Sequence, residues 1–539
     1  MASGATDLIV VIEFDAKIRE IPYGSKSRFS SNKGCLKGTR MTFLDFIIDW
    51  VNDPNPDSER GLVLFGQAGT GKSSIAHEIA RQFHQMDRLT SSFIFLRREQ
   101  SAHHLFTTLA RDLADRYPSF KIALGNIVKD DSALRIDTRD YDILLESLVL
   151  KPLKDLHIVG PILVVIDALD ESRDATGRTG LHEFLAENLI KLPSNFRVLI
   201  TSRPEPPIVS ALANAQSIKT RYMNDTSLAK THEDILAFFQ QRLPSNKFGH
   251  HLKALAEKAE ELFQWAAVAS QLILNPPACF GYSSERCIKH LLEPSTNRRG
   301  QDPLDELYKD ALGWYFKDEE ERDLFRSVVG QLITSIEPLS IHSLITLRQH
   351  APYDEDSDAV VNETLSRLGS LLSNVNLSDK NLPIIPLHAS FHDFLSKKDK
   401  SGDFYVDGRD AHDQLTHSCL NLLLDPVDGL KFNICKLETS YLANDEIEDL
   451  NTRVDQHIPP ALSYACRFWA DHLKHTDFKT DLFRKIEILF KEKFLFWLET
   501  LSFTKNIRLA QSALATLNMW LASSQGVSTT SGPMRNANN

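Results

Sequence analysis

The chain has 539 residues, 42% hydrophobic and 25% charged, with a net charge of −11. That length exceeds what one core supports and asks for about three or four domains. The acidic balance argues against bulk attraction to nucleic acid or anionic membrane, so no direct nucleic-acid partner is expected.

Cys35, Cys279, Cys287, Cys419, Cys435 and Cys466 are scattered without a C-x-x-C pair. This suits a reducing compartment and argues against a disulfide framework or a cysteine zinc site. The opening MASGATDLIVVIEF has five consecutive apolar residues and no basic start, so no signal peptide is expected. No apolar run approaches the roughly 20 residues of a membrane span. The chain reads as cytoplasmic.

In chain order, Leu8–Phe14 predicts a short strand and Gly24–Gly34 a polar loop. Residues 41–51 predict an amphipathic helix with Phe43, Leu44, Ile47, Ile48 and Val51 on one side, broken by the prolines after Asp53. From Gly61 to about Pro207, apolar strands alternate with helical patterns such as His104–Tyr117 and Tyr141–Leu156. The strands are Leu62–Phe65, Ser92–Leu96, Ile162–Ile166 and Arg197–Thr201. Continuous apolar runs belong to strands buried on both faces, and the alternation is that of a parallel, doubly wound α/β domain.

After about residue 225, helices are predicted at Thr231–Leu243, Leu252–Leu274, Leu304–Lys317, Glu319–Ile336 and Ser340–Arg348. Leu382–Leu387 beside Asp403–Val406 reads as a short strand pair, which makes 301–408 a winged-helix module. Helical patterns resume to 522, and the polar tail 523–539 is expected to be disordered. The expected fold class is an α/β P-loop NTPase core, a parallel sheet with helices on both faces, followed by mostly α-helical domains including a winged helix. The expected pieces are 1–40, the NTPase domain 41–222, a helical domain 223–300, the winged helix 301–408, a helical domain 409–522 and the tail.

Chemistry concentrates in three motifs. Gly66-Gln67-Ala68-Gly69-Thr70-Gly71-Lys72-Ser73 fits G-x-x-x-x-G-K-[ST] at every position, between a strand and a helix. Glycines let backbone N–H groups turn inward around phosphates, and the helix N-terminus adds positive potential. Lys72 reaches the β- and γ-phosphates and Ser73 ligates Mg²⁺, with Ser74 next in the loop. In PILVVIDALDES, Asp167 ends a strand and supports the Mg²⁺ water shell; Asp170 or Glu171 can polarise a water. In RVLITSRPE, Arg203 ends another strand and can sense the γ-phosphate. In LHASFHDFL, His388 and His392 bracket Phe391; packing histidines and a charge against a diphosphate are both open, and a metal pair at i, i+4 spacing lacks a third ligand.

GQAGTGKSS, VVIDALDES and RVLITSRPE, in this order and spacing, resemble the NACHT branch of the STAND signal-transduction NTPases, with a pattern closest to fungal NACHT proteins. CLKGTR (35–40), AEELFQWAA (259–267), LDELY (304–308), IEPLSI (336–341), LHASFHDFL (387–395) and LSYACRFWADHL (462–473) all have counterparts, over roughly residues 27 to 510.

The resemblance implies a resting state that holds ADP between modules. Exchange for ATP then swings the winged-helix side away and exposes an oligomerisation surface, in fungal-type innate immunity or self/non-self recognition. It implies that Lys72 and Ser73 hold phosphate and Mg²⁺ and that Asp167 supports the metal. Asp170 becomes the likelier hydrolytic carboxylate, with Glu171 beside it, and Arg203 the γ-phosphate sensor. His388 matches the histidine that meets the β-phosphate of ADP, with His392 the alternative.

The chain departs from the family in three ways. None of its six tryptophans precedes Asp, so the WD repeats of relatives have no counterpart, nor has their N-terminal effector domain. Glu261 stands where relatives tend to have Gly. No Gly-x-Pro adenine element is evident, which leaves ATP or GTP open. Two other readings stand beside the switch: a P-loop enzyme that turns over continuously, and a truncated adaptor.

Overall fold

The computed structural model describes residues 15–527 apart from 16, 20, 25–27, 96–101, 131–137, 139, 155, 157, 159, 173–179, 226–227, 294–301, 352–355, 376–378 and 440. The strand expected at Leu8–Phe14 lies outside them. So does the tail beyond 527, although the last helix, Leu509–Val527, runs past 522. The chain divides into two compact units, Met1–Ser270 with Leu291–Pro294 and Gln271–His290 with Ser295–Asn539.

The first unit is built on a parallel sheet of five strands: β1 (Gly61–Phe65), β2 (Leu89–Ile94), β3 (Ile162–Asp167), β4 (Phe196–Ser202) and β5 (Ile218–Tyr222), in the order β2-β3-β4-β1-β5. Alternate side chains fill opposite faces, as the two-residue period of a strand requires. Val63, Phe65, Val164, Ile166, Val198 and Ile200 enter the larger core, whose helices include His104–Arg116 and Leu181–Asn188. Leu62, Leu64, Leu163, Val165 and Leu199 enter the other, beneath helix α1 (Met41–Asn52) and helix α2 (Lys72–Gln85).

Three of these strands stand where the apolar runs predict them, within one residue at each end; β2 begins three residues before the expected Ser92. The fifth, β5, escaped notice because its sequence IKTRY buries only Ile218. As an edge strand it has one neighbour, β1, and tolerates a polar composition that a central strand would not.

One expected helix is two. Leu252–Lys258 and Phe263–Leu274 are separated by Glu260 at φ 44° and Glu261 at φ 68°, both left-handed. The apolar period continues through this break, so periodicity alone cannot reveal it.

The second unit is mostly helical, and its strand pair differs from expectation. β6 (Leu372–Ser373) pairs antiparallel with β7 (Ile385–Pro386), and Ser340 bridges Pro383. Asp403–Val406 is not a strand; Gly402–Phe404 forms a single 3₁₀ turn, and the Val406 N–H donates to Leu395 O at 3.0 Å. β7 precedes helix Ala389–Leu395 in the chain, whereas 403–406 follows it. Prolines at 383 and 386 have no N–H, and the residues after each donate instead: Ile384 N–H to Leu339 O at 2.8 Å and Leu387 N–H to Leu371 O at 3.0 Å.

Candidate functional site: the loop after β1 and the ends of β3 and β4

The apolar run of β1 ends at Gly66, where the chain turns into the loop 66–71 and then helix α2. Gly66 must be glycine: a Cβ there would lie 2.5 Å from Met223 Cγ. Gly71 caps α2 at φ 93°, a conformation side-chain-bearing residues rarely adopt.

Lys72, the first residue of α2, is 9% exposed, and its ammonium donates to Gly66 O at 2.7 Å and Gln67 O at 2.9 Å. Burial pushes its pKa down to about 8, against the pull of Asp170 and Asp167, with Arg203 adding to the depression. Ser73 follows, exposed, on the first turn of α2.

β4 lies between β1 and β3, so its end stands between the glycine loop and the acidic turn. Its last residues contact both sides. Ser202 O accepts the Gly66 N–H at 3.2 Å. The Thr201 hydroxyl donates to Asp167 Oδ1 and accepts the Ala168 N–H at 3.0 Å. Arg203 meets Asp170: its backbone N–H donates to Oδ1 at 2.9 Å and its Nε lies 3.1 Å from Oδ2.

Asp167 is 2% exposed at the end of β3. Ala168 then turns left-handed at φ 60°, and Leu169–Glu171 form a 3₁₀ turn carrying Asp170 and Glu171. The structure therefore brings Lys72, Asp167, Asp170, Glu171 and Arg203 within electrostatic reach of one another. It does not bring Asp170 and Arg203 there as independent groups. They are an ion pair.

Two contacts tie the glycine loop to other parts of the first unit. The Gln264 N–H donates to Gly69 O at 3.1 Å. Arg40 Nη2 donates to Thr70 O at 2.7 Å while its guanidinium lies 4.6 Å from the centre of the Phe263 ring. CLKGTR and AEELFQWAA thus meet at the loop.

His388 belongs to the second unit. It caps helix Ala389–Leu395, with Nδ1 accepting the Ser390 N–H at 3.1 Å and lying 2.7 Å from Ser390 Oγ. Ser390 Oγ in turn lies 2.9 Å from Tyr308 OH, so LDELY and LHASFHDFL are packed together. His392 Nδ1 lies 3.1 Å from Ser396 Oγ.

Sequence reasoning missed Thr201. The one available signal was a hydroxyl residue ending an otherwise apolar strand.

A glycine loop entering a helix after the first strand, with an acidic turn after a second strand two places away, defines a P-loop NTPase. A family model described as Nephrocystin 3, N-terminal, matches residues 39–203, a stretch that holds the first two motifs and the third as far as Arg203. No curated protein matches the chain. Among solved structures, Drosophila ORC bound to DNA is similar at 11% identity and a TM-score of 0.31, covering 64% of this chain and 91% of that one. The Aeropyrum pernix ORC1 protein in complex with DNA is similar at 12% and 0.28, covering 65% and 88%. Cdc6p from Pyrobaculum aerophilum is similar at 12% and 0.30, covering 68% and 93%. Scores this low carry no functional inference. Two of the three were solved with DNA. Among the described residues no helix is long and apolar enough to cross a membrane.

Proposed function

We propose that this chain is a nucleotide-dependent switch that binds ATP or ADP with Mg²⁺ and hydrolyses ATP slowly. The observation that carries this reading is Lys72: a nearly buried ammonium in a glycine loop, hydrogen-bonded to loop carbonyls beside Asp167 and Asp170. A phosphate would compensate the buried cation, and a divalent metal would compensate the carboxylates. The donor set fits the group: loop N–H groups and Lys72 for phosphate, and Ser73 with Asp167 for Mg²⁺.

Coupling to conformation is supported by Gln264. Its N–H holds the loop at Gly69, and its helix runs on past Ser270, where the first unit hands the chain to the second. A ligand shifts such a two-state equilibrium only through its differential affinity for the two states. In this reading ADP favours a closed form, and the γ-phosphate, by engaging Arg203, favours an open form that self-associates.

The finer assignment is a NACHT-type STAND protein of the fungal kind, serving innate immunity or self/non-self recognition. It rests on the resemblance and on the second unit. There, helices Glu319–Thr334, Ile341–Gln349 and Ser357–Ser366, the Ser340–Pro383 bridge and the β6–β7 pair follow the order of a winged helix. His388 would then contact ADP; with Nδ1 accepting a hydrogen bond, its Nε2 carries the neutral ring's proton.

The test is to denature the purified protein and identify any released nucleotide by chromatography, then compare hydrodynamic radii with ADP and a non-hydrolysable ATP analogue. Bound ADP and different radii are expected. Identical radii remove the switch, and brisk sustained turnover, about 1 s⁻¹ or more, makes the chain a working enzyme instead.

A further inference from the structure

Thr201 is fully buried at the end of β4, between the glycine-loop strand and the strand that ends in Asp167. A hydroxyl has one proton to give. Here it goes to Asp167 Oδ1, and an oxygen lone pair takes the Ala168 N–H at 3.0 Å. Both partners matter to the site. Asp167 is the carboxylate fitted to the metal's water shell. Ala168 makes the left-handed turn, φ 60°, that delivers Asp170 and Glu171.

We propose that Thr201 is the positioning residue of the Mg²⁺–nucleotide site. By engaging Oδ1 it fixes the Asp167 rotamer and leaves Oδ2 as the atom for the metal side. By accepting the Ala168 N–H it holds a backbone conformation that a residue with a Cβ adopts reluctantly. One hydroxyl thereby sets the metal carboxylate and the hydrolytic turn in a fixed relation. Residues that orient a metal-supporting carboxylate in this way shift metal affinity about 10–100-fold when changed. The inference rests on the nucleotide-site reading.

The test uses the full chain with Thr201→Val, which keeps the shape and removes the hydroxyl, and Thr201→Ser, which keeps the hydroxyl. A fluorescent ADP analogue is titrated with and without Mg²⁺, and each variant's thermal stability is recorded. For Thr201→Val, the Mg²⁺ concentration giving half the metal-dependent gain in affinity is expected to rise about tenfold. Its metal-free affinity is expected to stay unchanged, and Thr201→Ser is expected to restore the wild-type midpoint. If Thr201→Val does not fold, Thr201→Cys, a weaker donor of similar size, is expected to move the midpoint the same way by less. Lowered stability with an unchanged Mg²⁺ midpoint would mean that Thr201 only fills the core, and would overturn the proposal while leaving the nucleotide site intact. A wild-type chain that binds no nucleotide would remove both.

Discussion

Asp170 grips Arg203 at two points, accepting the backbone N–H on one carboxylate oxygen at 2.9 Å and facing Nε with the other at 3.1 Å. The Asp170 side chain is 6% exposed and the Arg203 side chain 23%. The hydrolytic carboxylate and the γ-phosphate sensor of the proposed site therefore neutralise each other. A γ-phosphate that draws Arg203 away would release Asp170 toward water in the same movement.

Arg203→Ala and Asp170→Asn are accordingly expected to be non-additive. Each alone is expected to slow single-turnover ATP hydrolysis at least tenfold, and the double variant to be little slower than the worse single. A coupling of about 1 kcal/mol or more is typical of groups in contact. Rate constants for all four proteins check this; simple multiplication of the two effects would show that the pair is not a unit.

Lys72 predicts a pH dependence. Its pKa is lowered from 10.5 to about 8 by burial, and a bound phosphate would raise it again. The complex therefore holds a proton that the free protein loses above about pH 8. Nucleotide affinity is expected to fall with rising pH from there, by up to about tenfold per unit. Calorimetry in buffers of different ionisation enthalpy should register proton uptake above pH 8 and almost none at pH 7. Lys72→Ala is expected to abolish both the uptake and the binding.

Glu261 sits at φ 68° between two helices. A side chain there strains the backbone by about 1 kcal/mol, which glycine would relieve. Glu261→Gly is expected to be more stable than Glu261→Ala by about that amount, or about 2 °C in Tm for a unit this large. The alanine control removes the carboxylate but keeps the strain, so equal Tm values for the two variants would exclude backbone strain as the cause.

Asp112 fastens the segment before α1. Buried on helix His104–Arg116, it accepts from Tyr23 OH at 3.0 Å, Ser91 Oγ at 2.5 Å and Arg28 Nη1. Burial pushes its carboxyl pKa up while Arg28 opposes that shift. Asp112→Ala would leave three donors without an acceptor and is expected to cost about 3 kcal/mol. Trypsin should then cut at Arg28 sooner, and an unchanged cleavage rate there would show the segment is held by other means.

The sheet's centre was legible because GLVLF, ILVVID and FRVLITS leave no polar face on which a surface strand could be read. The phosphate loop was legible because spacing and flanks agree. What escaped depends on tertiary contact. IKTRY is a strand only because β1 offers it an edge. The break at Glu260 and Glu261 hides inside a continuing apolar period. Tyr464 OH receives the Ile336 N–H at 3.0 Å, and Arg467 pairs with Glu337 at 2.7 Å. IEPLSI and LSYACRFWADHL thus meet across more than a hundred residues, a pairing of which the sequence gives no local sign.

The tip of β4 has a consequence for how this chain can change over time. Thr201, Ser202 and Arg203, three consecutive residues, touch Asp167, the first loop glycine Gly66 and Asp170 in turn. Consecutive strand residues cannot move apart, so a displacement of the strand by one residue would misplace all three contacts together. In the proposed site, a shift of the strand would disturb nucleotide hold, metal hold and hydrolysis together, whereas a single side-chain change there reaches one contact. Descendants are therefore expected to keep the register of this strand, whichever of the three side chains they change.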